Sequence, residues 1–356
     1  MIVKNEKAVI CRCLASLKPY ITYWVIVDTG SSDGTQEIIR NFMKEIPGEL
    51  HERPWVDFAH NRNEALALAK NKADYIFFMD ADDVLEVHPN FQWTNFDKDF
   101  YYVNIKYAGM EYSRVNFIKS SLNWKWTGVL HEVIESTQAR IFIPDPVADM
   151  AIVVNTDGAR SKDPQKYLKD AKVLEKALEK EPNSTRNQFY LAQSYKDAEL
   201  YKEAIEAYQK RVDMGGWDQE VYISLLKIAG LRELLKEPDA VVHESYKKAY
   251  EFRPSRLETL YYLTRFERKR KRFAAGYEAA LKGLFHPHSK DLLFVESSIY
   301  DYGLLLEFSV CAYWCEKYLE AKLASKLLLA NEKLPQDIRE LVQRNLCWID
   351  GKLAPE

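Results

Sequence analysis

A mostly parallel α/β domain followed by an all-α domain is the fold this sequence predicts, and three observations predict it. Short apolar segments that end in aspartate alternate with helical stretches up to about residue 160. Strand patterns then vanish. Beyond residue 163 the helical segments are rich in Ala, Leu, Tyr, Lys and Glu and share a recurring layout. A chain of 356 residues accommodates two domains at about 150 residues each, with boundaries expected at 1–160 and 161–356. A composition 47% hydrophobic and 13% aromatic supplies a core for each and excludes global disorder.

In the first half, Tyr23 to Val27 reads as a buried strand ending in Asp28. Thr35 to Lys44 has helical spacing, with Ile38, Ile39 and Phe42 on one side, and Ala59 to Ala69 is a second helical stretch. Tyr75 to Met79 is a fully apolar strand that ends at Asp80. Such alternation predicts a parallel sheet covered on both faces. Ligands of these sheets sit at the carboxyl ends of the strands, where both aspartates fall.

Charge narrows the function classes. Fifty basic against 53 acidic side chains give a net charge of −3, which offers no electrostatic footprint for nucleic acid or a membrane surface. No run of about 18 apolar residues predicts a spanning helix, and the first residues lack a secretory pattern. Five cysteines (Cys11, Cys13, Cys311, Cys315, Cys347) without paired C-x-x-C spacing read as reduced thiols of a cytoplasmic protein.

Two segments carry chemistry. Asp80-Ala81-Asp82-Asp83 packs three carboxylates at a strand end. Oxygen-rich clusters of this kind suit Mg²⁺ or Mn²⁺ that also grips substrate phosphates; alone, such a triplet also reads as a solvated loop. Val25 to Thr35 runs from a strand through the polar turn Thr29-Gly30-Ser31-Ser32-Asp33-Gly34 into a helix that Ser32 or Asp33 would cap. That turn offers carboxylate and hydroxyl groups to a nucleoside. Neither G-x-x-x-x-G-K-[ST] nor G-x-G-x-x-G occurs, which excludes simple ATPase and dinucleotide readings.

With Met1 to Glu6 and Ala59-His60-Asn61-Arg62-Asn63, these segments form four ordered motifs over roughly residues 1 to 135. Their order resembles that of family 2 inverting glycosyltransferases, which have the Rossmann-like GT-A fold. The resemblance implies a nucleotide-sugar donor, UDP-linked by preference. Asp28 would meet the base, with Ile2 and Val3 lining its pocket. Glu6, Asp33 and Ala81 fall inside the same motifs, Arg62 would approach the diphosphate, and Asp80 would hold the ribose or the metal. Asp82 would be the main ligand of Mn²⁺ or Mg²⁺.

Trp124 to Glu132 completes the candidate site. Trp126 is the expected aromatic platform under a sugar. By the same resemblance His131 would be a second metal ligand and Glu132 the general base, with Glu111 and Glu135 as rival acids. Residues 131 and 132 on one strand would point to opposite faces, so a turn is needed to bring both into one site.

In the second half, Phe189 to Tyr195 followed by Tyr201 to Tyr208 resembles a tetratricopeptide helix pair. Looser echoes open at Phe273 and Tyr318, and Pro182 to Pro254 spans about two periods of a roughly 34-residue repeat. About four degenerate pairs are expected to stack into a superhelix with a concave face. That stack would serve as a stabilising or dimerising appendage, giving a homodimer, or as the surface for a protein, peptide or glycan acceptor. Asn155 to Ser161 resembles the junction of glycosyltransferases fused to such repeats, with Arg160 and Lys166 within reach of the diphosphate or simply linker charges. Two further readings stand beside transfer: a nucleotide-sugar-binding scaffold whose repeats recruit a protein, and a nucleotidyltransferase.

Overall fold

The protein is described by a computed structural model at residues 1–91, 96–108, 110–140 and 146–354. It forms two compact units, Met1–Leu200 and Tyr201–Glu356.

The first unit opens with β1 (Ile2–Val3), α1 (Ile10–Leu17), β2 (Trp24–Asp28), α2 (Thr35–Phe42) and β3 (Gly48–Glu52). The three strands pair in parallel in the order β1-β2-β3, and Val3 lies opposite Asp28. Ile26 of β2 is buried with Ile10 and Leu14 of α1 and Ile39 of α2, so the apolar stripes of both helices close this sheet. The parallel strands expected from the alternating pattern are these.

After α3 (Phe58–Ala69) come β4 (Tyr75–Phe77), β5 (Val84–Val87), β6 (Phe100–Tyr107), β7 (Met110–Lys119), β8 (Lys125–Thr127), β9 (Val133–Glu135) and β10 (Met150–Val153). A second sheet has the order β4-β7-β6-β10-β5, and only its β6–β10 contact is parallel. For β6 and β7 the reason is chain length: two residues separate them, whereas a parallel crossover needs a dozen or more. Strand β4 stops two residues short of the apolar run. There the Asn116 side chain takes over from the ladder, its amide donating to the Phe78 carbonyl at 2.9 Å. The freed segment 78–83 turns back and carries the three aspartates.

Helices α4 (Lys166–Lys180) and α5 (Thr185–Asp197) complete this unit. Leu130, in the turn between β8 and β9, is buried among Ala171, Leu174 and Leu178 of α4 and Leu191 of α5.

The second unit is all helical among the described residues: α6 (Tyr201–Asp213), α7 (Asp218–Leu234), α8 (Asp239–Phe252), α9 (Leu257–Lys269), α10 (Phe273–Leu281), α11 (Leu304–Trp314), α12 (Tyr318–Ala330) and α13 (Gln336–Leu353). The irregular later spacing has a cause. A connection after α10 ends in a π-helical turn over Ile299–Gly303, which leads into α11. No helix among the described residues is long and apolar enough to cross a membrane, and all five cysteines are free thiols.

A fully buried ion pair anchors that connection. The Arg256 guanidinium donates to both oxygens of Glu258 at 2.8 and 2.9 Å, and to the carbonyls of Leu293 and Phe294. Glu258 also accepts from the Glu296 amide and the Tyr300 hydroxyl. Both members are inaccessible to solvent, so removing one charge strands the other. Glu258→Gln is expected to cost about 3 kcal/mol or more in denaturant unfolding. A loss below about 1 kcal/mol would show that Asp291, 3.0 Å from Arg256, neutralises the cation unaided.

Candidate functional site

Asp28 is the most enclosed of the candidate residues, 1% exposed at the carboxyl end of β2. Its Oδ1 accepts from the amides of Gly30 and Ser31 at 2.9 and 2.8 Å and from Gln36 Nε2 at 3.1 Å. Its Oδ2 is equally buried and has no hydrogen-bond partner among the described residues. An unsatisfied buried carboxylate oxygen is costly, and a ligand N–H would satisfy it. Gly30 and Gly34, with φ of 101° and 92°, let the turn bend back in the left-handed region. Asp33 holds the turn closed: Oδ1 accepts from the Thr35 amide and hydroxyl, and Oδ2 from the Lys7 amide. Both Asp33 oxygens are therefore engaged in closing the turn and starting α2, while Gly34 occupies the N-cap position.

Ile2 and Val3 lie beside this turn, and the Val3 carbonyl accepts from the Thr29 amide at 2.9 Å. Glu6 faces the segment after β10, where the Ala159 amide donates to it at 3.1 Å; burial raises its pKa. Ala81 is packed in the core against the first sheet.

The carboxylates around Asp80 form a charged cluster joined by one guanidinium. Arg62 donates from Nε to Glu132 and from Nη2 to Asp80, the latter at 2.7 Å. Its face lies over the Trp126 ring at 5.1 Å. Helix α3 aims Arg62 because Asp57 caps its start and fully buried Asn61 ties it to Pro54 and Val56. Burial would raise the Asp80 pKa, but Arg62, with Arg114 behind it, brings it down to about 2. Among the described residues no guanidinium bonds the carboxylate of Asp82 or Asp83, although Arg114 acts on Asp83 at a distance. Burial and the neighbouring carboxylates raise both, Asp83 to about 7.

This donor set fits a hard divalent cation, because all its ligating atoms are carboxylate oxygens whose repulsion a cation relieves. Among the described residues no three His, Cys, Asp or Glu side chains converge into a ready-made cage. A cation beside Asp82 would therefore draw further ligands from substrate oxygens or water.

The turn from Gly128 to Glu132 joins β8 to β9, so His131 and Glu132 are not on a strand. His131 has φ of 51°, and the two side chains part company. Glu132 meets Arg62. His131 instead stacks on Tyr190 of α5, with ring centroids 3.9 Å apart and planes 10° apart. Packing among protein atoms, then Arg186, Arg160 and Lys166, lower the His131 pKa, although the residue keeps an exposed edge. Its ring is thus neutral, as a metal ligand must be, but its charged neighbours are cations. Arg160 is itself bonded to Asp170 and lies over the Phe58 ring. Trp126 is 6% exposed, edge-on to Phe78 at 5.0 Å, and its Nε1 is buried without a partner.

Three contributors were not singled out from the sequence. Asn63 clamps β8, giving to the Trp126 carbonyl and accepting from its amide. Arg12 binds Asp157 through both ends of its guanidinium and also the Asp82 carbonyl at 2.7 Å. Gly158 lies so close to Asp82 that a Cβ there would fall 2.7 Å from Oδ2. Only the glycine inside Asn155 to Ser161 hinted at such an approach.

Comparisons with known proteins reach the N-terminal segment and the helical repeats. Residues 1–91 match the model of the family described as Glycosyl transferase family 2. That segment carries Asp28, Arg62 and the aspartates at 80–83, while Trp126, His131 and Glu132 lie beyond it. A TPR repeat-containing protein of Synechococcus elongatus is 38% identical over 86 residues, 24% of this chain. The match spans about a fifth of that protein's length, 20%. Among solved structures, a tetratricopeptide repeat protein from Parabacteroides merdae is similar at 17% identity, covering 53% of this chain and 69% of its own, with a TM-score of 0.40. YrrB, described as a TPR protein with an unusual peptide-binding site, is similar at 12% identity over 51% and 83%, with a TM-score of 0.37.

The close approach at Gly158 gives a direct test of Asp82. In Gly158→Ala the added methyl displaces the carboxylate, and the Mn²⁺ concentration for half-saturation of any cation site at Asp82, read by calorimetric titration, is expected to rise about tenfold. An unchanged half-saturation would show that Asp82 shifts without consequence or holds no metal.

Proposed function

We propose that the protein is a metal-dependent inverting glycosyltransferase that moves a sugar from a nucleotide-sugar, UDP-linked by preference, to a protein, peptide or glycan acceptor. The single observation that carries this reading is the unpartnered, buried Oδ2 of Asp28 beside a glycine-bearing turn. The imide N–H of uracil complements that oxygen. The match of residues 1–91 to glycosyl transferase family 2 supports transfer as the reaction class.

From the base, the donor would run along the ends of β1 and β2 toward Asp80. Asp82 would hold Mn²⁺ or Mg²⁺, with the remaining ligands drawn from substrate oxygens or water; His131, stacked on Tyr190 among cations, would join them only by leaving that stack. When bound, that ion supplies Lewis-acid stabilisation of the diphosphate leaving group. Arg62 fixes Glu132 through Oε1 and leaves Oε2 outside that bond. Glu132 Oε2 takes the proton of the acceptor as the acceptor attacks the anomeric carbon from the face opposite the diphosphate. One displacement inverts the configuration there. Trp126 closes the floor beneath Arg62. The helical second half would supply the acceptor surface or a homodimer contact.

The test is release of nucleoside diphosphate from a panel of UDP- and GDP-sugars with Mn²⁺, alongside binding of the donor by calorimetry. Asp28→Asn presents an amide in place of the carboxylate and is expected to weaken UDP-sugar binding about tenfold or more. Glu132→Gln is expected to keep binding and lower turnover by about 10²-fold or more. Neither binding nor turnover with any donor would overturn the reading. Binding without turnover, even with acceptor peptides and glycans supplied, would favour a scaffold. Full turnover in Glu132→Gln would move the base to another carboxylate.

A further inference from the structure

The turn that carries Glu132 is conformationally expensive and is held from outside the two sheets. Gly128 and His131 both occupy the left-handed region, with φ of 103° and 51°. For a residue with a side chain that conformation costs roughly 1–2 kcal/mol, so something must hold His131 there. Arg186 of α5 does so. Its Nε and Nη2 donate to the His131 carbonyl at 3.2 and 2.6 Å, while its guanidinium lies 5.0 Å from the centre of the Tyr190 ring. Tyr190 in turn stacks on the His131 imidazole. One residue earlier, Leu130 is 5% exposed in the pocket formed by α4 and α5.

We infer that Arg186 is a positioning residue for the transfer reaction, acting through the carbonyl of His131 on the carboxylate of Glu132. The inference rests on the assignment of Glu132 as base. A two-pronged donor clamps that carbonyl in one orientation and prevents the peptide between residues 131 and 132 from rotating. Glu132 is then delivered to Arg62 from a fixed backbone. Helices α4 and α5 accordingly form part of the catalytic framework, a role distinct from acceptor binding or dimerisation.

The test uses the full chain with Arg186→Ala and Arg186→Lys. Hydrogen exchange over residues 127–135 is expected to quicken at least tenfold in Arg186→Ala, with exchange across β2 and α2 unchanged. A misplacement of about 1 Å costs on the order of 10²-fold in rate. For this more remote residue kcat is expected to fall about tenfold or more, with KM for the donor within twofold. Arg186→Lys, which keeps one donor to the carbonyl, is expected to recover part of both losses. Unaltered exchange in the turn overturns the inference whatever the catalytic result. Quickened exchange with an unchanged kcat in an active enzyme overturns the link to Glu132. A wild-type protein inactive with every donor would sink the transferase reading instead, while the exchange measurement still decides whether Arg186 holds the turn.

Discussion

The Arg62 guanidinium, shared between Asp80 and Glu132, is the contact on which the rest of the site depends. It joins a residue that leaves β4 to one that enters β9, with α3 between them as the lever. Two carboxylates brought this close repel each other in a poorly solvated setting unless a cation lies between them. The cation has to be oriented as well as present. Arg is suited to that task because its planar fork donates in two directions at once, and Trp126 supports its face.

Charge in the site is consequently uneven. Asp80 is neutralised by protein and kept ionised, whereas Asp82 and Asp83 are pushed toward the protonated form by burial and by one another. A protein selected only for stability would replace such a cluster with apolar residues. The unsatisfied oxygen of Asp28 is a cost of the same kind. In the function proposed above, a donor N–H would offset the cost at Asp28 and a cation the cost at Asp82.

Packing explains why the first helix pair lies in the same compact unit as the sheets. The turn between β8 and β9 is too short to bury its own side chains, and Leu130 must find an apolar pocket elsewhere. Helices α4 and α5 provide it. Arg186 and Tyr190 then fix the backbone that follows Leu130. In the second unit the long connection after α10 is anchored by buried charge as well as by apolar residues, since Arg256 and Glu258 bond to it beside buried Leu293 and Val295.

Much was legible from local pattern alone. A continuous apolar run placed β2, helical spacing placed α2 and an Ala- and Leu-rich stretch placed α3, each to within a few residues. The aspartates at 28, 80, 82 and 83 stood out because polar residues directly after a buried strand have to face the sheet's edge. Other features were decided only in three dimensions. The β6–β7 pair is antiparallel because a two-residue link joins the strands, but the pairing of β4 with β7 and of β5 with β10 is set in three dimensions. Asp33 closes a turn with both oxygens, which spacing does not distinguish from ligand binding. His131 and Glu132 diverge at a left-handed His131, whose carbonyl accepts from Arg186, 55 residues further along. Sequence periodicity reports which face of an element is buried. It carries no information about which distant side chain completes a hydrogen bond, and that is where the site's geometry was set.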